Sequence, residues 1–244
     1  MQMKKFKELM HNVSVNPLWM NKQKQAAQRW NPYSFEGGST VAISGPNFVV
    51  IATDTRMSQS EMNILTRDAD KIHILNKNIV IATSGFQGDV LQLKRVLDSR
   101  LHQYRFDYRR DMTVDVCAEL LARNLYYRRF FPYYTGAILA GIDEHGKGAV
   151  FGYDPIGCIE RQPYDSTGAG EPIITPFLDN QVGYKNLSES ADKPPLTLDR
   201  AIKLVRDAFR MVAEREITTG DRINLVIAEA GQPVKKISVN LRED

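Results

Sequence analysis

The chain has little cysteine, little tryptophan and no long apolar run, and each shortage closes off a class of protein. Its two cysteines, Cys117 and Cys158, fall short of a disulfide framework. Each lies in an apolar segment, so both are expected as free thiols in a reducing compartment, cytosol or nucleus. No window approaches the roughly 18 uninterrupted apolar residues of a membrane span, and the leading MQMKKFKELMHNV lacks the apolar centre of a secretion signal. Asn12-Val13-Ser14 fits the glycosylation triplet and is expected as a chance match in a polar leader. An excess of one charge is also missing: 32 basic against 29 acidic residues leaves +3, with no basic run long enough to track phosphates. No nucleic-acid partner and no membrane partner are expected. His11, His73, His102 and His145 stand at no metal-ligand spacing and near no thiol, so neither a metal nor a cofactor is implied.

With 43% hydrophobic and 25% charged residues, the chain has the profile of an ordinary globular domain. Residues 1–33 are polar, Gln- and Lys-rich around NKQKQAAQ and without a sustained period, which reads as an N-terminal extension; the domain is expected over 34–244. TVAIS, Gly45-Pro46-Asn47 and FVVIATD predict two strands across a tight turn, and IHIL, Asn76-Lys77-Asn78 and IVIATS repeat the design. Their near-continuous apolar runs predict strands covered on both faces.

Helical spacing follows in two adjacent segments. Val90, Leu93, Val96, Leu97 and Leu101 mark the first; Val116, Cys117, Leu120, Leu121 and Leu125 mark the second, behind Thr113 as N-cap. TGAILAGID, GAVFGYD and CIERQPYD then predict strands. Thr197 caps a helix with Leu198, Ala201, Leu204, Val205, Ala208, Phe209, Val212 and Ala213 on one stripe and Gly220 as its stop, and RINLVIAE and VKKISVNL close the chain as strands. The order suits an α+β arrangement of two stacked sheets enclosed by helical layers.

TVAISGPNFVVIATDTR, followed by SGFQGD, is similar to the signature of proteasome β subunits, members of the N-terminal nucleophile hydrolase family. The resemblance runs from about Gly37 to the C-terminus. YYRRFFPYY (126–134), GIDEHGKGAVFGYDPIG, FLDNQVGYKN and LTLDRA narrow it to the sixth β position of the ring. It implies a four-layer αββα sandwich, two mainly antiparallel sheets flanked by helices. It also implies that the leader is a propeptide and that the partners are other β and α subunits in a 28-subunit 20S core particle, serving ATP- and ubiquitin-linked protein degradation in cytoplasm and nucleus.

Catalytic members of that family begin, after processing, with a threonine whose hydroxyl attacks the peptide carbonyl and whose own amine is the base. The family's Asp lies sixteen residues later. Asp54 counted back sixteen gives Gly38, and the family's Thr and Ala at positions three and five then fall on Thr40 and Ala42. Glycine has no side chain to attack with, so the resemblance implies a non-catalytic subunit. The other relics are uneven. Asp54 and Arg56 match the family's Asp-x-Arg, and Lys71 matches its lysine at a spacing one residue longer. Glu216 stands where catalytic relatives have Asp, and Thr219 where they have Ser. Ala169, in Gly168-Ala169-Gly170-Glu171, replaces a serine and cannot relay a proton.

An alternative is a threonine- or serine-type peptidase using Ser39 after cleavage at Gly38. A one-residue slip along a strand turns the side chain to the opposite face, which argues against it. Gly85, in SGFQGD, is expected as a positive-φ turn glycine rather than an oxyanion donor, and Asp89 as an acid complementing a helix N-terminus. The aromatic run, Phe130, Phe131, Tyr133 and Tyr134 above all, and the polar segment around Leu178-Asp179-Asn180-Gln181 are expected to pack or to contact other subunits.

Overall fold

Strand alternation decides the layers. The computed structural model describes residues 33–34, 36–59, 63–188 and 193–241. The expected extension over 1–33, with Asn12-Val13-Ser14 and His11, lies outside these apart from Tyr33. Residues Ser34–Asp244 form a compact unit of their own. Within it β1 (Ser39–Ser44) pairs antiparallel with β2 (Phe48–Asp54), and β5 (Ile72–Ile74) with β6 (Ile79–Gly85). Between them lies a small hairpin, β3 (Met57–Gln59) and β4 (Asn63–Thr66), which sequence patterning missed because it is short and its second strand is exposed.

Two further strands, β7 (Thr135–Ile142) and β8 (Gly148–Tyr153), are followed by β9 (Ile159–Gln162), β10 (Tyr164–Gly168), β11 (Arg222–Glu229) and β12 (Lys235–Asn240). One sheet runs in the order β10-β1-β2-β11-β12 and the other β5-β6-β7-β8-β9, all neighbours antiparallel. Even and odd positions part cleanly. Ala42, Val49, Ile51, Val80, Ala82, Ile138, Val150 and Val226 fill the space between the sheets. Val41, Ile43, Val50, Leu225 and Ile227 face one helical layer, and Ile79, Ile81, Leu139 and Phe151 face the other. Strands buried on both faces need no polar alternation, which is why they read as unbroken apolar runs. The fold is the expected αββα sandwich.

Among the described residues the helices are α1 (Gln87–Tyr108), α2 (Val114–Tyr127), α3 (Glu171–Gln181) and α4 (Leu198–Arg215). Thr113 caps α2 by accepting from Val116 N, and Thr197 caps α4 by accepting from Arg200 N. α1 and α2 cover the β5–β9 sheet, and α3 and α4 cover the other. Val96 is only half-buried and Val116 exposed, so the apolar stripes of α1 and α2 are narrower than periodicity suggested.

Three readings are corrected. CIERQPYD is two strands, not one: Pro163 lacks an N–H, the ladder breaks there, and the chain passes from the edge of one sheet to the edge of the other. α4 stops at Arg215 with Glu216 as C-cap, not at Gly220. Leu178–Gln181 belong to the last turns of α3, which sequence reading missed because Pro172 and Pro176 interrupt it and only Ile174 and Leu178 are buried. Asn180 itself is exposed.

Both cysteines are free, but only Cys117 is buried, and burial pushes its thiol up to about 12. Cys158 is exposed in the turn before β9, where the Asp154 carboxylate accepts from its N–H at 2.7 Å. In the aromatic run Tyr133 is core, whereas Phe130 and Phe131 are exposed and Arg129 lies over the Phe130 ring at 4.3 Å.

Candidate functional site

Where β1 begins, four segments distant in sequence converge on Asp54, the last residue of β2. Its carboxylate is fully buried and accepts four hydrogen bonds, from Ser39 N at 2.9 Å, Lys71 Nζ at 2.8 Å, Arg56 N at 3.2 Å and Gly220 N at 3.4 Å. Lys71, equally hidden, also donates to the Arg56 carbonyl. A buried carboxylate and ammonium in contact satisfy each other; losing either leaves an uncompensated charge.

Gly38 stands directly in front of this pair. A Cβ built on it would point at Lys71 Nζ, 2.4 Å away, and at Asp54 Oδ1, 3.2 Å away. Its φ is +93°, which disfavours any side chain. A hydroxyl-bearing residue here would face both charges; glycine leaves the space to the lysine. Ser39 faces the other way, as alternation along a strand requires. Its Oγ is 2.7 Å from Thr219 Oγ1 and accepts from Gly170 N at 2.8 Å.

The remaining relics divide. Ala169 donates its N–H to the Gly38 carbonyl at 2.9 Å and offers no side-chain polar group. Thr219 reaches the site only through Ser39. Glu216 is turned away, its carboxylate accepting from Thr218 N at 3.1 Å and Thr218 Oγ1 at 2.8 Å. Gly85 pairs with Thr135 at φ +103°, and a Cβ there would lie 2.6 Å from the Tyr134 carbonyl oxygen. Asp89, in the first turn of α1, accepts from Tyr134 N at 2.8 Å and so ties that helix to the start of β7.

Sequence reasoning missed three contributors. Asp221 holds the Arg56 guanidinium through Nε at 2.8 Å and Nη2 at 3.3 Å, and Arg67 joins at 2.6 Å. Burial works to raise the Asp221 carboxyl, but hydrogen bonds from Arg56 and Arg67 outweigh it and hold the group below the usual range. The same bond raises Arg56 against its own desolvation. Glu36 and Ser58 are the other two. Asp221 had a faint signal, an acid after glycine in Thr-Gly-Asp; Glu36 and Ser58 had none.

Beside the site is a cavity of about 500 Å³ lined by Gly85, Tyr134, Asp154, Asp165, Ala169 and Glu171 among others. Burial, followed by the nearby charges of Glu171 and Glu160, pushes the Asp165 carboxyl up to about 6 despite a hydrogen bond from Ser166 N.

The two stacked sheets, the Asp54–Lys71 pair at the head of β1 and the glycine before it define a sandwich of the N-terminal nucleophile kind. Residues 34–228 match the family model described as proteasome subunit, and the chain belongs to that family. It is similar to proteins named proteasome subunit beta type-1. One from Caenorhabditis elegans is 68% identical over 243 residues, covering all of this chain and 94% of the relative. One from Petunia hybrida is 44% identical, covering 91% of this chain and 99% of its own. One from Danio rerio is 39% identical, with coverages of 88% and 90%.

Proposed function

We propose that this chain is a non-catalytic structural β subunit of the 20S core particle. It completes the β ring of a 28-subunit assembly and shapes neighbouring peptidase sites for ATP- and ubiquitin-dependent protein degradation in cytoplasm and nucleus. Family membership supports the assembly. The single observation that carries the catalytic part is Gly38, whose missing side chain would have faced Lys71 Nζ and Asp54 Oδ1. Without a hydroxyl there, the pair has no nucleophile to tune.

The Ser39 alternative is opposed by geometry. Ser39 Oγ is engaged with Thr219 and Gly170 N on the face opposite Lys71, so cleavage after Gly38 would expose an amine whose own hydroxyl points away from the charges. Purified particles treated with a peptidyl epoxyketone test both readings, since the warhead needs an amine and a hydroxyl on one terminal residue. The expected result is that this chain keeps its unmodified mass while other subunits gain the adduct. An adduct on Ser39 refutes the reading.

A further inference from the structure

The two residues before Gly38 lie in a cleft between β3 and the start of α1. The Glu36 carbonyl accepts from Ser58 N at 3.0 Å, a strand-like contact. The Glu36 carboxylate accepts from Gln87 N at 2.7 Å. Gln87 is the first residue of α1, and neither Phe86 at the N-cap position nor any other capping side chain serves the helix there. An N–H at that position has no intrahelical partner, and the helix dipole favours an anion beside it. Gly37 follows at φ +74°, and a Cβ on it would come within 2.5 Å of Thr218 Cβ. Ser58 Oγ, 97% of whose residue is buried, has no hydrogen-bond partner among the described residues and lies 3.2 Å from where that Cβ would be, so it is aimed into the cleft. With Glu36 and Gly37 in place, only about 10 Å³ remains among Met57, Lys71, Thr83, Gly85, Gln87 and Val90.

We infer that this cleft is a binding site for an extended peptide bearing a Glu-Gly pair, and that the chain occupies it with its own Glu36-Gly37. The helix N-terminus reads the carboxylate, Ser58 N reads the preceding strand, and the close Thr218 admits only glycine next. The resident segment closes the cleft to other peptides. This goes beyond the reading above and stands whether or not position 38 is catalytic.

Hydrogen exchange on intact particles tests it, with the fragments carrying the Gln87 and Ser58 amides followed by mass spectrometry. The Gln87 N–H depends on Glu36 for its protection, so Glu36→Ala raises its exchange about tenfold or more. Millimolar acetyl-Phe-Glu-Gly-amide then restores protection in the variant but adds none to the unaltered particle, and acetyl-Phe-Lys-Gly-amide restores none. Unchanged exchange in the variant overturns the resident contact. Failure of the acidic peptide to protect, or equal protection by the lysine peptide, overturns the binding site. Should Glu36→Ala not enter particles, Glu36→Gln replaces it. Its amide oxygen is a weaker acceptor, so exchange at Gln87 rises less and the acidic peptide still lowers it; no rise there counts against the proposal in the same way.

Discussion

Replacing Lys71 with methionine keeps most of the side chain's volume and removes the ammonium that faces Asp54. The carboxylate stays fully buried, with backbone N–H groups at 2.9, 3.2 and 3.4 Å as its remaining donors. Removing one partner of a buried pair costs about 3–5 kcal/mol, chiefly because the other charge is left uncompensated. A domain's whole margin is about 5–15 kcal/mol, so the loss is a large fraction of it. The Arg56 carbonyl loses its donor as well. If the pair is structural, Lys71→Met lowers the melting temperature of the purified chain and the yield of particles containing it. Every peptidase activity then falls together, and activity per assembled particle stays constant. Adding Asp54→Asn removes the stranded charge, so the double variant is less destabilised than the two singles sum to, by about 0.5–3 kcal/mol. Two results would refute this reasoning: normal-yield particles lacking one activity, or single-variant costs that add within about 0.5 kcal/mol.

Three further outcomes are expected. Gly38→Thr introduces a hydroxyl but forces a β-branched residue to positive φ, at about 1–2 kcal/mol, and its Cβ collides with Lys71 Nζ; the subunit melts lower and epoxyketone labels nothing at position 38, and an adduct there sinks the expectation. Asp165 binds its proton more tightly folded, near pH 6, than unfolded, near 3.8, so stability falls as pH rises from about 4 to 6. That gap caps the effect near 3 kcal/mol at ~1.36 kcal/mol per pH unit, and solvent at the partly exposed carboxyl reduces it to about 1–2. Asp165→Asn flattens the dependence of the chain's melting temperature over that window, and an unchanged slope contradicts it. Asn180→Arg, on the exposed side of α3, leaves the chain's own stability within about 0.5 kcal/mol but lowers the yield or salt resistance of particles; normal assembly removes that face from the subunit contacts.

The site was half legible in the sequence. Counting back from Asp54 found Gly38, and strand alternation alone turned Ser39 away from the charges; both are consequences of a period of two. Lys71 was found despite its spacing. The destination of the Ser39 hydroxyl could not be read, because Thr219 is 180 residues away and Gly170 is 131. Glu216 carried the right kind of charge for its family position yet bonds Thr218, since the turn after α4 directs its carboxylate there.

Local chemistry determined what can be settled within a few residues: double-faced apolar strands, the caps at Thr113 and Thr197, the stripe of α4, and the absence of a nucleophile at position 38. Tertiary structure alone decided which distant groups meet. It carried the chain across at Pro163 from one sheet to the other, and it made a helix of 171–181 by packing Ile174 and Leu178 beneath it despite two prolines. It paired Arg56 with Asp221 and seated Glu36 on the first N–H of α1. Periodicity and capping are short-range forces written into neighbouring residues. The partner of a buried carboxylate or an uncapped helix end is fixed only when the sheets close over it.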